Sequence, residues 1–507
     1  MKNTIKFMIG LLAIGLVSCE PEFENAVTDE GFYDAGDADF SNYVSLGNSL
    51  TAGYADSALY ISGQEDSYPN IMAEQFGFVG GGDFTQPLTS DNFGGLLYGG
   101  VQILGNRLVL SADENGNPFP TPLDGTPTTD VTTSATGPFN NMGVPGAKSY
   151  HLVTPGYGSV AGVANGTANP WFARFATSES TTVLADAVSL NPTFFSLWIG
   201  NNDILGYATS GGSGVDQAGN LDPSTYGGND ITDPNVFAAA YSAQVDALVA
   251  GGAKGVLLNI PDVTSIPYFT TVPPQSIPLD AATAAQVNGG FALYNGALGQ
   301  LVAAGFISAD EAAIRQINFA EGVNYPIMTD VDLTDVTAIL IGGGIDPQTA
   351  ALLGQLRQVK SDDLVVLTAS SILGTVPDPS NPLNILGVTL PLPNSLVLSS
   401  TEQARVATAG ASYNAIIEGL AAANELGYGD MKSALADVAA NGAIYNGGVL
   451  TSTYVTGGAF SLDGVHPSPR GYAFTANTII DVINTTYNAS IPKVDIGTYG
   501  TVTLHNN

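Results

Sequence analysis

The sequence predicts an α/β fold built on a parallel central sheet, with long inserts between its strands. Two observations point there. Thr193 to Ile199 and Gly255 to Ile260 are continuous apolar runs, the pattern of strands buried on both faces. Between them lies a helical segment, and the same helix–strand alternation continues toward the C-terminus, which calls for crossover connections and parallel pairing.

The elements follow in order. Asn42 to Leu46 is a short apolar strand ending at Gly47. Ser67-Tyr68-Pro69 opens a helix that Gly77 stops, with proline suited to the first turn. Residues 78–140 are rich in Gly and Thr and form a first insert. A hairpin is expected from Arg107 to Pro118, turned at Asn115-Gly116. Asp233-Pro234 caps a helix whose Phe237, Tyr241, Val245 and Leu248 recur at helical spacing before Gly251-Gly252. A helix near 283–303, strands near 315–320 and 364–368, and a helix from Ser400 to Leu426 are expected next. Ser400 and Gln403 offer a capping box for that helix, and Gly427 a stop. Ser468-Pro469 opens the last helix. Much of 262–455 reads as a second insert, and 491–507 as a tail.

The chain has 507 residues, 44% of them hydrophobic, which is too apolar for a disordered chain. It carries 46 acidic residues against 13 basic ones. That balance excludes a nucleic-acid partner and a polybasic membrane surface. It suits solubility in a salty exterior.

Cys19 is the only cysteine, so an intrachain disulfide is excluded. Lys2 and Lys6 precede an apolar run, Phe7 to Val17, that is too short to span a bilayer. Leu16-Val17-Ser18-Cys19 then resembles the lipobox of bacterial lipoproteins. That resemblance implies a signal peptide over 1–19, lipidation of Cys19 and attachment to the outer membrane or cell surface by the lipid alone. Residues 20–40 read as an acidic tether, similar to the surface-export signals of some lipoproteins.

The chemistry-bearing residues are few. There are three histidines, at 151, 466 and 505. His151 has no acid beside it, and His505 lies in the tail. His466 sits in Asp463-Gly464-Val465-His466, where the acid three residues earlier can reach one imidazole nitrogen and leave the other for a nucleophile. No G-x-S-x-G elbow occurs, which argues against an α/β-hydrolase. Ser49 lies in a Gly-flanked turn at the carboxyl end of the first strand, where ligand sites of parallel sheets gather. Asp330, Asp332 and Asp335 fit no calcium loop and read as strand-end acids. Phe194, Phe195 and Trp198 read as core.

Four short blocks then carry a resemblance to the SGNH, or GDSL, hydrolases. They are Gly47-Asn48-Ser49-Leu50, Asn141-Met142-Gly143-Val144-Pro145-Gly146, Gly200-Asn201-Asn202-Asp203 and Asp463-x-x-His466, in the family's order between about 43 and 485. Gly252 to Asp262 is similar to the longer plant and bacterial members. The resemblance implies a three-layer α/β/α, flavodoxin-like fold over 41–490 and a serine esterase or lipase. Ser49 is then the nucleophile, His466 the base and Asp463 its orienting acid. The oxyanion donors implied are the backbone N–H groups of Ser49 and Gly146 and the side chain of Asn202, with no cofactor and no metal. The implied partner is a small-molecule or lipid ester. Asn48 departs from the family's aspartate at that place. Alternatives are a polysaccharide O-acetylesterase and a non-catalytic surface-binding lipoprotein. The apolar, proline-bearing stretch Leu386 to Pro393 is expected to wall an acyl pocket.

Overall fold

The computed structural model describes residues 32–505. The expected signal peptide, Cys19 and most of the expected tether lie outside them. Five parallel strands form the central sheet: β1 (Tyr43–Gly47), β2 (Asn141–Gly143), β3 (Phe194–Trp198), β4 (Lys254–Leu258) and β5 (Gly427–Gly429). Their spatial order is β5-β4-β3-β1-β2, and every neighbouring pair is parallel. Strand β1 therefore has its sequence successor on one side and β3 on the other. In open α/β sheets such a reversal of order opens a crevice at the carboxyl ends of the strands.

The helices that position the site are α1 (Ser49–Ala52), α2 (Tyr68–Phe76), α3 (Val183–Ser189), α4 (Asn202–Thr209), α5 (Pro234–Val249), α6 (Ala281–Ala303), α7 (Ser400–Ala423), α8 (Met431–Ala440) and α9 (Pro469–Tyr487). Strand alternation divides the core into two layers. Tyr43, Phe194, Trp198, Val256 and Leu258 face α2 and α9. Val44, Leu46, Phe195, Leu197 and Leu257 face α3, α5 and α7. The result is a sheet sandwiched between helices, as the sequence pattern predicts.

Capping follows the local sequence with one shift. Asp233 caps α5 and Ser468 caps α9 through side-chain oxygens. The cap of α7 is Ser399, not Ser400. Its hydroxyl accepts the Glu402 N–H, and Glu402 accepts the Ser399 N–H at 2.7 Å. Two overlapping S-x-x-E/Q frames exist here. The structure uses the one that buries Glu402 completely. Gly427 does not stop α7, which ends at Ala423. It begins β5 instead.

The first insert folds as two hairpins, and Leu108–Ala112 pairs with Pro118–Pro122 around a turn in which Gly116 is left-handed. The second insert has its own core, in which α6 packs with Ile317, Phe319, Ile327, Leu340 and Leu356. Residues 316–320 form no strand. Leu364–Val365 pairs antiparallel with Val397–Leu398 outside the central sheet. The span expected as the second insert also contains α7, β5 and α8, which belong to the central layers and the site.

Both terminal assignments are corrected. Phe40 is buried and stacks on Phe76 at 4.2 Å, so the tether ends before it. Ile491 and Ile496 are buried in the core behind α9, so this stretch is packed rather than loose. Among the described residues no helix is long and apolar enough to cross a membrane.

Candidate active site

Strand register brings the first three blocks together. Gly47 pairs with Gly143 on β2 and with Trp198 on β3. Ser49, Gly146 and Asn202 follow these residues by a few positions, at the carboxyl ends of the three strands. Gly47 is required by close approach. A Cβ there would lie 2.4 Å from the Trp198 carbonyl oxygen. Gly146 is required for a different reason. Its φ is +80°, while an added Cβ would meet only Asn169, at 3.8 Å.

Ser49 is the first residue of α1 and only 6% exposed. Asn48 caps that turn by accepting the Leu50 N–H at 3.0 Å, and donates its own amide to Asn201 at 3.1 Å. The turn expected of an aspartate at 48 is thus held by asparagine. Among the described residues, neither the Ser49 nor the Gly146 backbone N–H donates to a protein acceptor. Asn202 donates one amide hydrogen to the Ala147 carbonyl at 2.8 Å and has a second to offer. Asp203 is fully buried and accepts both the N–H and the hydroxyl of Ser149, at 2.8 and 2.7 Å. It ties the end of β3 to the loop that carries Gly146.

The fourth block arrives from the other end of the chain. His466 Nε2 lies 2.9 Å from Ser49 Oγ, and its Nδ1 lies 2.9 Å from Asp463 Oδ2. Asp463 Oδ1 accepts the N–H groups of Val465 and His466, both at 2.9 Å, and the Ser461 hydroxyl at 3.0 Å. Burial works against the Asp463 charge. The charge of His466 and these N–H donors outweigh it and hold the carboxyl down to about 2. The Tyr54 ring packs against the imidazole at 4.8 Å.

Two residues the sequence did not disclose complete this arrangement. Asp56 and Ser57 are both left-handed, with φ of 53° and 63°. The Ser57 N–H donates to Asp463 Oδ2 at 2.9 Å, and the Asp56 N–H to Ser461 Oγ at 3.0 Å. Asp56 accepts the Leu462 N–H and the Tyr60 hydroxyl, each at 2.9 Å. Burial pushes the Asp56 carboxyl up to about 6. The Leu462 N–H pulls the other way, and the nearby Asp463 charge adds to the rise.

The remaining candidates lie elsewhere. His151 stacks on Tyr157 and accepts the Lys148 N–H at 3.0 Å, and burial beside Lys148 lowers it to about 3, so it is a neutral structural group. The His505 N–H donates to the Leu110 carbonyl, on the first insert. Asp330 pairs with buried Arg357, and Asp332 with Arg405 at 2.7 Å. Among the described residues no cluster of three or more His, Cys, Asp or Glu could hold a metal. Leu386 to Pro393 does not line the space at Ser49. Leu386, Val388 and Leu392 are buried in the hydrophobic core.

Two cavities meet at His466. One, narrow and partly open, contains Ser49 and Asn202 and is otherwise walled mainly by apolar side chains, including Trp198, Leu435, Val438 and Phe474. Trp198 is thus both core and wall. The other is a wider cleft that contains Asp463, Tyr54, Phe119 and Tyr268. A hydroxyl, an imidazole and a carboxylate in line can remove a proton from the hydroxyl and later return it. No protein-family model matches the chain, and no curated protein or solved structure matches it.

Proposed function

We propose that the protein is an extracytoplasmic serine esterase of the SGNH type, hydrolysing carboxylic esters through an acyl-enzyme on Ser49. The single observation that carries this reading is the unbroken chain Ser49–His466–Asp463, with both links at 2.9 Å. His466 takes the Ser49 proton as the hydroxyl attacks the ester carbon, then passes it to the departing alcohol. Asp463 holds the imidazole in the tautomer that leaves Nε2 free to accept. The oxyanion is held by the N–H groups of Ser49 and Gly146 and by the second amide hydrogen of Asn202. The order of strands and the layered helices support the three-layer SGNH fold, and the four sequence blocks converge on one end of its sheet.

The chain is proposed to be exported and anchored by lipid on Cys19 at the outer membrane or cell surface. Supporting this are the lipobox resemblance and the acidic composition. Cys19→Ser should move the protein from the membrane pellet to the soluble fraction.

The decisive experiment is labelling with a fluorophosphonate probe beside hydrolysis of p-nitrophenyl butyrate. The wild-type chain should label and turn over, while Ser49→Ala and His466→Ala should lose turnover with unchanged circular dichroism. Near-wild-type turnover in Ser49→Ala overturns the mechanism.

A further inference from the structure

We infer that the two cavities divide the substrate between them, so that the preferred esters join an aliphatic acid longer than acetate to a bulky alcohol. This rests on the proposed esterase reading and adds which half of the ester goes where.

The argument starts from the proton. When the Ser49 Oγ–carbon bond forms and the carbon–alcohol bond breaks, the proton on His466 Nε2 goes to the alcohol oxygen. That oxygen must therefore sit on the His466 side of the scissile carbon. Water then takes the alcohol's place, gives a proton to His466, and releases the acid as the Ser49 oxygen is reprotonated. Both cavities reach His466, Leu205 and Val465, but only the narrower one contains Ser49 and Asn202. The acyl carbon lies at Ser49, so its chain runs into the narrower cavity. The alcohol leaves through the wide cleft, which holds Asp463 and His466 without Ser49.

The narrow cavity has the chemistry of an acyl site. One face of α8 presents Met431, Ala434, Leu435 and Val438, spaced three and four apart as one helical stripe requires. Leu450, Phe460 and Phe474 line it as well. Its polar contributors gather where the ester would react, namely Asn48, Ser49, Asn201, Asn202 and His466, with Thr475 besides. An acetyl group would leave most of this wall without contact. Each further methylene buried there should raise kcat/KM roughly fourfold until the wall is reached. The cleft is built differently. Tyr54, Tyr268 and Tyr454 offer flat faces with polar tips, and Phe119 a flat apolar face, together suited to a large alcohol.

The test uses the mature chain and p-nitrophenyl acetate, butyrate, hexanoate and octanoate. kcat/KM should climb from acetate to at least hexanoate. Leu435→Trp, which fills the cavity, should lower the octanoate-to-acetate ratio at least tenfold. With the acyl group held as butyrate and the alcohol varied from ethyl to 2-naphthyl, Phe119→Ala should shrink the preference for the larger alcohol about threefold or more. A wild-type profile that is flat or falls beyond acetate overturns the inference, whether or not the tryptophan variant folds. So does a Leu435→Trp effect on alcohol preference instead of acyl length. Fluorophosphonate labelling separates the two readings. Labelling at Ser49 with a flat profile sinks the division of the substrate alone. Absence of both labelling and hydrolysis sinks the esterase reading beneath it.

Discussion

The Ser57 backbone N–H donates to Oδ2 of Asp463 at 2.9 Å, the same oxygen that faces His466 Nδ1. All five hydrogen-bond partners of that carboxylate act as donors to it: the Val465 and His466 N–H groups and the Ser461 hydroxyl at Oδ1, and the Ser57 N–H and the imidazole at Oδ2. An asparagine at 463 would have to place its NH2 group against either Ser57 N–H or the three donors at Oδ1. It would also favour the wrong imidazole tautomer. Asp463→Asn should therefore lower kcat by about three to four orders of magnitude with little change in KM. A loss of less than tenfold would show that the imidazole does not depend on this acid.

The same carboxylate links stability to pH. Its pKa of about 2 lies below the ordinary carboxylate value of 3.8. The stability this contributes is therefore present above about pH 4 and is lost as pH falls through 2. Wild-type stability in urea should drop more steeply between pH 4 and 2 than that of Asp463→Asn.

Asp56 has the opposite sign. Its pKa is raised from 3.8 to about 6, so the folded state holds the proton more tightly than the unfolded chain. Stability therefore falls as pH rises from about 4 to 6, and stays lower above that. Asparagine keeps the acceptor for the Leu462 N–H and tolerates the left-handed backbone. The stability of Asp56→Asn relative to wild type should thus rise between pH 4 and 7.5. Urea midpoints at the two pH values provide the measurement. A difference that stays constant or reverses would mean that Asp56 is charged and well satisfied.

Much of this arrangement was legible before folding. Strands β3 and β4 are buried on both faces, so their apolar runs stand out, and Asp463 and His466 are close enough in sequence to read as a pair. Strands β2 and β5 are three residues each at the sheet edges. Asn141-Met142-Gly143 and Gly427-Tyr428-Gly429 carry no apolar run, and only their neighbours make them strands. The Asp56-Ser57 clamp was hidden for a different reason. Two consecutive non-glycine residues in left-handed conformation are locally disfavoured. Their partners Ser461 to Asp463 lie 405 and 406 residues away. The acyl-pocket expectation for Leu386 to Pro393 recognised an apolar loop but not what would cover it. Those side chains found a core, and α8 took the place at the site.

Asn202 sits where one lost donor can be separated from lost binding. One amide hydrogen is committed to the Ala147 carbonyl, and the other is available to a developing oxyanion. Asn202→Ala should lower kcat by roughly a hundredfold or more and leave KM nearly unchanged, because that charge exists only in the transition state. A change confined to KM would assign Asn202 to ground-state binding.

Asn48 is 1% exposed, beside the nucleophile, and its amide nitrogen donates to the Asn201 oxygen at 3.1 Å. Aspartate at 48 would still accept the Leu50 N–H, so the turn that carries Ser49 should survive. The Asn201 amide would have to rotate so that its nitrogen, not its oxygen, meets the new carboxylate. The larger consequence is electrostatic. A buried negative charge close to the active imidazole favours its protonated form, in which it cannot act as a base. The acid limb of the kcat/KM profile of Asn48→Asp should therefore move to higher pH, by up to about one unit. Activity at pH 6 should fall more than activity at pH 8.5. Profiles from pH 5 to 9 on p-nitrophenyl butyrate decide the matter. If the limbs coincide, the new carboxyl is neutral or its charge does not reach the imidazole. If activity falls equally at all pH values, the Asn201 contact positions Ser49, and asparagine at 48 matters for geometry rather than for charge.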